Sequence, residues 1–354
     1  MRFLESILLI VNFAIISATV CSYIVPYFNP RDLGIISYTV LLYPILLLAN
    51  LFFIFYWTLR RSKKAIFSAM VLLLGWGYIK SFYVIGNHES LDGTEHINII
   101  SFNASNFSYN FSPNLKSKTE RESVIKDFLK GLDTIDIFCF QEIGNYSLEI
   151  LKNALPSYKI YQPKKGTAIM TRFPVLDSGI IDFGTFTNSC TWADLNTGKG
   201  LVRVYSLHLE SNRISADTEK IIEKAPDIEE KLFYDIRDLL RRYKRSSFKR
   251  ADQVSQLKKH FEECPYPIIL AGDFNDTPIS YTYKQLSEGF IDSFKLSGRG
   301  VGASYAGNIP FLRIDYIMLS PVFAVKTSSV IKKKLSDHYP IYTAIHFPAD
   351  AENQ

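Results

Sequence analysis

Residues Pro267–Pro278 read P-I-I-L-A-G-D-F-N-D-T-P, and the fold turns on that stretch. Ile268, Ile269, Leu270 and Ala271 form an unbroken apolar run, the pattern of a short strand covered on both faces. The polar turn Gly272-Asp273-Phe274-Asn275-Asp276-Thr277-Pro278 then ends the run. Side chains alternate along a strand, so Asp273 and Asn275 leave its mouth on one face. A carboxylate and a carboxamide held there suit a hard metal ion, or a water about to attack phosphorus. The plainer alternative is a turn in which both side chains bond their own backbone.

Working outward, the same arrangement recurs. Ile97–Phe102 reads as a strand closing on Asn103, Ile135–Phe140 as a buried strand closing on Gln141-Glu142, and Leu201–Leu207 as a strand closing on His208. Thr167–Thr171, Ile314–Leu319 and Ile341–Ile345 are further strands. Thr119-x-x-Glu122 has the form of a capping box, opening a helix with Val124, Ile125, Phe128, Leu129 and Leu132 on its inner stripe. Between 212 and 250 lies a charged helical insertion carrying Ile228, Leu232, Ile236, Leu239, Leu240 and Tyr243. Its end holds Arg241, Arg242, Lys244, Arg245, Lys249 and Arg250, either a solvated face or a cationic patch for phosphates or anionic headgroups. A further helix (Val254, Leu257, Phe261) leads into the Asp273 strand.

The amino-terminal end differs in kind. Residues 1–86 are mostly apolar and hold seven Lys/Arg (Arg2, Arg31, Arg60, Arg61, Lys63, Lys64, Lys80) against Glu5 and Asp32. The remaining 33 basic and 33 acidic residues balance over 87–354, so the whole +5 charge sits in the apolar end. A neutral body gives little purchase on a polyanion. Ile7–Tyr27, Leu33–Leu59 and Ala65–Ile85 read as three transmembrane helices, each about long enough for a hydrocarbon core of roughly 30 Å. A cleaved signal peptide is the rival reading for the first; Glu5 spoils its basic region and S-A-T-V-C-S its cleavage site. The Arg60–Lys64 cluster places that loop in the cytoplasm, and everything after Ile85 outside. Tyr27, Phe28, Tyr56, Trp57, Phe82 and Tyr83 stand where interfacial aromatics do, and Lys80 near the outer end of its span can snorkel. With no acid inside a span, the helices read as an anchor rather than a transport path. The expected organisation is an anchor over 1–86, a linker over 87–96, a catalytic domain over 97–347 and a tail over 348–354. Four cysteines lack zinc spacing, and a Cys190–Cys264 bridge is allowed but not required.

S-F-N (101–103), F-Q-E (140–142), S-L-H-L-E-S (206–211), G-D-F-N-D-T-P (272–278), R-I-D-Y (313–316) and S-D-H-Y-P (336–340) form one ordered set. In this set the chain resembles the endonuclease/exonuclease/phosphatase superfamily, which includes deoxyribonucleases, apurinic endonucleases, inositol-polyphosphate phosphatases and neutral sphingomyelinases. The resemblance implies an α/β fold, a four-layer sandwich of two mostly antiparallel sheets with outer helices. It implies Glu142, Asn103 and Asp337 as ligands for Mg²⁺, with Mn²⁺ as the alternative ion. Asp273 would take a proton from the attacking water, Asn275 would orient water or phosphate, and His338 would pair with Asp315. His208 would meet a phosphate or leaving oxygen. Arg313 would bind substrate, an ion pair with Asp315 being its plainer reading. Ser105 stands where many family nucleases place an acid, which leaves no second metal ligand there.

These residues point to a membrane-anchored, metal-dependent hydrolase of phosphodiesters, nuclease-like, with a sphingomyelin or phosphoinositide phosphodiesterase or phosphatase as the alternative. A scaffold that kept the fold and lost turnover would be expected to have lost some of these polar groups. The expected partners are the bilayer and the phosphodiester substrate, nucleic acid or phospholipid headgroup; nothing calls for a protein partner.

Overall fold

The computed structural model describes residues 2–86, 96–107, 117–164, 166–185, 187–212, 229–307 and 309–347. The linker expected over 87–96 (its last residue apart), the tail over 348–354 and most of the insertion before Glu229 lie outside them, as do Ile228 and the side chains of Leu232 and Ile236.

Helices Arg2–Ile24 and Thr39–Leu59 lie side by side, and each belongs to a segment long and apolar enough to cross a membrane. Only 17% and 28% of their most apolar windows are buried within the protein, so most of that surface needs an apolar covering from elsewhere. The third expected span is broken: Ala65–Leu74 and Trp76–Phe82 meet at 68°, and they count as a span only if the bent pair is taken as one. Inside the bundle, the Asn12 amide donates to Ser68 Oγ (2.8 Å) and the Trp57 indole to Asn12 Oδ1 (2.9 Å). The Asn50 amide donates to Thr19 Oγ1 (2.9 Å). These bonds tie the apolar helices to one another.

Strand β1 (Val84–Ile85) leaves the helices. There follow β2 (Ile97–Asn103), β3 (Ile137–Ile143), β4 (Lys159–Tyr161), β5 (Gly166–Thr171), β6 (Val175–Asp182), β7 (Ser189–Asn196) and β8 (Leu201–His208). After the helix Glu229–Glu262 come β9 (Ile268–Asp273), β10 (Ile291–Asp292), β11 (Arg299–Gly300), β12 (Asp315–Leu319), β13 (Ala324–Val330) and β14 (Ile341–His346). One sheet runs β13-β14-β2-β3-β5-β4 and the other β10-β12-β9-β8-β7-β6. Every neighbouring pair in both is antiparallel except β2–β3 and β8–β9.

Period-two alternation sorts the side chains into layers. Ile99, Ile137 and Ile169 of the first sheet meet Val204, Ile269 and Ile317 of the second in a central core. Phe102, Phe138 and Phe140 point the other way, under Ile125, Leu129 and Leu151. Tyr205, Leu270 and Tyr316 do the same on the far side, under Val254, Leu257 and Leu286. This is the expected sandwich, with β9 buried along its whole length.

Two local expectations change, and one alternative left open is decided. The capping box is Ser117-x-x-Glu120, not Thr119-x-x-Glu122: Ser117 Oγ accepts from the Glu120 amide, and the Ser117 amide donates back. The two helices expected before β9 are one, Glu229–Glu262, because no breaker separates Tyr243 from Val254. Cys190 and Cys264 are both free.

Candidate active site

The inner faces of both sheets change character toward one edge of the sandwich. Along β2 the inward positions are Ile97, Ile99, Ser101 and Asn103; along β8 they are Val202, Val204, Ser206 and His208. Along β9, Ile269 and Ala271 lead to Asp273, and Asp315 opens β12 directly opposite it. Apolar side chains fill the middle, hydroxyls and amides come next, and ionisable groups stand at the strand ends. The polar tier stitches the sheets together: Gln141 Nε2 donates to Ser206 Oγ (3.2 Å), which donates to the Phe140 carbonyl (3.0 Å).

Glu142 reaches this edge by an irregularity. Alternation along β3 puts Ile137, Cys139 and Gln141 inward, which would turn Glu142 out and Ile143 in. A register shift between Gln141 and Ile143 coincides with φ +54° at Glu142, and Ile143 packs in the outer core instead. The bulge leaves the Glu142 carboxylate at the mouth of the slot, the least buried group of the set (37% exposed). Asn275 is also left-handed (φ +53°), and such non-glycine positions concentrate at working sites. Gly272 has φ +153°, and a Cβ there would sit 2.0 Å from the Leu207 carbonyl oxygen, so only glycine lets β8 and β9 lie this close.

The cluster is dense. Asn103 Nδ2 donates to Glu142 Oε1 (3.1 Å) and Asp273 Oδ2 (3.0 Å), and the Ser105 amide holds Asn103 Oδ1 (3.0 Å). The Asn275 amide donates to Asp273 Oδ1 (2.8 Å), while its side chain bonds Asp273 Oδ2 (3.2 Å) and the Leu209 carbonyl (3.0 Å). His338 Nδ1 donates to Asp315 Oδ2 (2.8 Å), leaving Nε2 3.7 Å from Asp273 Oδ2. The Tyr305 ring packs edge-on against His338. His208 Nδ1 donates to the Thr187 carbonyl (3.2 Å), so Nε2 faces the slot, 3.6 Å from Glu142 Oε1 and 3.9 Å from Asp273 Oδ2.

Electrostatics follow from burial. Desolvation raises the pKa of Asp273 to about 6, helped by the Asp315 charge and opposed by His338, His208 and the Asn103 hydrogen bond. Desolvation pulls His338 down, but the charges of Asp315 and Asp273 outweigh it and hold the imidazolium well above the usual histidine range. Near neutrality the pair is therefore carboxylate and imidazolium.

Two buried atoms of this cluster have no hydrogen-bond partner among the described residues: His208 Nε2 and Asp315 Oδ1. With the open Glu142 carboxylate beside them, the donor set fits a divalent cation and its phosphate ligand. Asp273, Asp315 and His338 also bring ligand atoms within 4.8 Å of one another. Asp315 Oδ2 and His338 Nδ1 are spent on each other, so the Glu142 side is the freer position.

Two expected members stand apart from this set. Arg313, expected to bind substrate, is buried (2% exposed) in an ion pair with Asp292 and donates to the Ser81 carbonyl (3.3 Å). It does not pair with Asp315: it lies ahead of β12, outside the strand, and its guanidinium is taken up by Asp292 and the Ser81 carbonyl. Asp337 accepts from Ser336 Oγ (3.1 Å) and lies near enough to raise the His338 pKa, yet it falls outside the close carboxylate–imidazole trio. The basic stretch is mostly a solvated face: Arg242 pairs with Asp238, and Lys249 with Glu210 (2.8 Å). Arg250 is the exception, fully buried. It donates to the Glu210 carbonyl (2.9 Å), Asn212 Oδ1 (2.7 Å) and Asp276 Oδ2 (3.1 Å), and the Asn212 amide in turn holds the Asn275 carbonyl (2.8 Å). Arg250 thus ties the loops after β8 and β9 together. In the sequence Asn212 follows the 206–211 motif and Asp276 lies within the 272–278 motif, with nothing to pair either of them with Arg250.

Among solved structures, a Bacteroides vulgatus endonuclease/exonuclease/phosphatase has the same fold (TM-score 0.53, 19% identity, 72% of this chain and 100% of that one). So do humanized D. rerio TDP2 (0.52, 20%, 72% and 100%) and a Bacteroides thetaiotaomicron mannosyl-6-phosphatase (0.52, 20%, 71% and 100%). No curated protein matches the sequence at a significant level. Residues 5–82 match a model described as a domain of unknown function (DUF8431). The model of the endonuclease/exonuclease/phosphatase family matches residues 100–338, spanning every strand end described above. With that match over most of its length, the chain belongs to the endonuclease/exonuclease/phosphatase family and is a phosphoester hydrolase.

Proposed function

We propose that the chain is a membrane-anchored, Mg²⁺-dependent phosphodiesterase of nuclease type, with its catalytic body on the extracytoplasmic side. One observation carries the chemistry: Asp273 lies between the His338–Asp315 couple and the Asn103–Glu142 pair, with His208 Nε2 unpartnered beside it. Glu142 would hold the ion with Asn103 alongside and Asp337 near the opening; when bound, the ion supplies positive charge at the phosphate oxygens. Asp273, with a pKa near the working pH, accepts the proton of the attacking water as its oxygen bonds phosphorus and the ester bond breaks. Asn275 fixes the orientation of Asp273. The His338 imidazolium, held by Asp315, neutralises charge growing on the phosphate. His208 Nε2 meets a phosphate or leaving oxygen.

The orientation rests on charge. Arg60 pairs with Glu5 at one end of the bundle, beside Arg61, Lys63 and Lys64. The body packs at the other end, where Tyr243 and Ile279 join Val25, Val40 and Tyr43. Positive charge inside therefore puts the body outside. The same seating favours a second reading, a phospholipid phosphodiesterase, because a body fixed to the bundle end stays at headgroup level. Arg31 reinforces the seam with two bonds to Asp252 (2.9 and 2.7 Å).

The test is the full chain in detergent with plasmid, single-stranded DNA, RNA, sphingomyelin and phosphoinositides, with Mg²⁺ or EDTA. Hydrolysis of nucleic acid, abolished by EDTA and falling steeply with salt, is expected. Headgroup release with a flat salt profile selects the second reading. No turnover of any phosphoester, or turnover indifferent to EDTA, refutes both.

A further inference from the structure

Where the anchor meets the body, a cavity of about 400 Å³ opens between the helix ends and two short helices of the catalytic domain, Tyr281–Ser287 and Ser293–Ser297. Its two walls differ. The anchor contributes Leu74 and Gly77, on either side of the 68° bend, and nothing lies within 4 Å of where a Cβ on Gly77 would stand. The body contributes Lys284 and Lys295, with Asp292 lining the same wall.

The cations outnumber the acids available to them. Lys295 is pushed down by burial, opposed by Asp292, and pushed down further by the like charges of Arg313, Lys80 and Lys284. Asp292 is already taken by the Arg313 guanidinium and by the Tyr283 hydroxyl (2.7 Å). Glu288, the acid that feels Lys284, is held by Lys258 (3.0 Å). The Lys284 ammonium stands 5.6 Å over the Tyr27 ring, and no carboxylate among the described residues pairs with either lysine. Crowded cations with their acids engaged elsewhere leave a site for an anion. An apolar wall on the anchor side leaves a place for that anion's apolar part.

We propose that this cavity binds the phosphate of an anionic phospholipid, with Lys284 and Lys295 holding the headgroup and the Leu74–Gly77 wall lying along its apolar portion. The inference rests on the reading above that the helices sit in a bilayer. Its chemistry, a phosphate against two ammonium groups, is shared by free phosphate, and the test separates the two sources. It is distinct from the hydrolytic slot: none of its lining residues belongs to the Asp273 cluster.

Native mass spectrometry of the purified full chain, titrated with phosphatidylglycerol or phosphatidylcholine, reads the site directly. One phosphatidylglycerol is expected to be retained, with at least about tenfold preference over phosphatidylcholine. The double variant Lys284→Gln/Lys295→Gln should weaken that binding about thirtyfold, from two headgroup-facing charges lost. Gly77→Phe should fill the cavity and displace the lipid with both charges in place. Lys118→Gln, on the Lys118–Lys130 helix, should change nothing. Millimolar inorganic phosphate that displaces the lipid assigns the site to free phosphate; lipid that persists assigns it to the headgroup. Equal retention of the two lipids, or the same retention in all variants, overturns the proposal. Alkaline carbonate separates the two failures: a chain released without detergent refutes the bilayer reading, whereas a chain that stays inserted yet shows no preference refutes the site alone.

Discussion

Replacing Asp315 by Asn removes one charge from the centre of the site while nearly keeping its shape. Asp315 Oδ2 accepts a hydrogen bond from His338 Nδ1 at 2.8 Å, and the two side chains are 1% and 7% exposed, so solvent screens the pair very little. A hydrogen bond to a charged group is worth about 1.5–3 kcal/mol. At about 1.4 kcal/mol per decade, that corresponds to roughly a 10- to 150-fold loss of kcat/KM, and the His338 pKa falls with the loss of the Asp315 charge. Asp273 Oδ2, 3.7 Å from Nε2, still favours the imidazolium and limits that fall. The sign is fixed by linkage. A histidine whose folded-state pKa is raised adds stability at low pH and loses it as pH rises through the raised value. The variant loses both that stability and the catalytic cation at a lower pH. The assay is kcat/KM for bis-p-nitrophenyl phosphate with Mg²⁺ across the alkaline range. An alkaline limb that falls at the same pH in both proteins would mean His338 does not act as the imidazolium this geometry requires.

Asp273, raised to about 6 by burial and by Asp315, must be ionised to act as a base, so kcat/KM should climb as pH rises through about 6. Asp273→Asn should cost at least about a hundredfold and erase that limb; an active variant sinks the assignment. Gly272→Ala drives a Cβ to 2.0 Å from the Leu207 carbonyl oxygen. A cost of about 3 kcal/mol lowers Tm by about 6–12 °C, and an unshifted melt contradicts the close approach. Arg313→Met leaves Asp292 buried without its cation, a loss of about 3–5 kcal/mol. Tm should fall while kcat/KM at a permissive temperature holds, and the reverse pattern would return Arg313 to the substrate.

The sequence announced the strand ends well because their chemistry is local. Asp273, His208 and Asn103 each close an apolar run, and alternation alone turns them to the same face as Ile269, Val204 and Ile99. Glu142 was found through its motif; the bulge that turns it inward has no residue signature, since glutamate at φ +54° is sustained by the surrounding fold. Arg313 and Arg250 misled for one reason. A guanidinium reads as a surface cation until tertiary contacts show Asp292 or Asp276 beneath it. The bend between Leu74 and Trp76 was hidden as well, because hydropathy counts apolar residues without regard to direction. Ser117-x-x-Glu120 and Thr119-x-x-Glu122 are equally good boxes two residues apart, and only the backbone hydrogen bonds at Ser117 and Glu120 separate them.

The slot takes its residues from both layers of the sandwich: Asn103 and Glu142 from one, His208, Asp273 and Asp315 from the other. Neither layer alone owns a working half. A species in which each sheet had formed but not yet stacked would keep its backbone ladders and be inert, so turnover in this enzyme is a gauge of how the layers mate rather than of whether either exists.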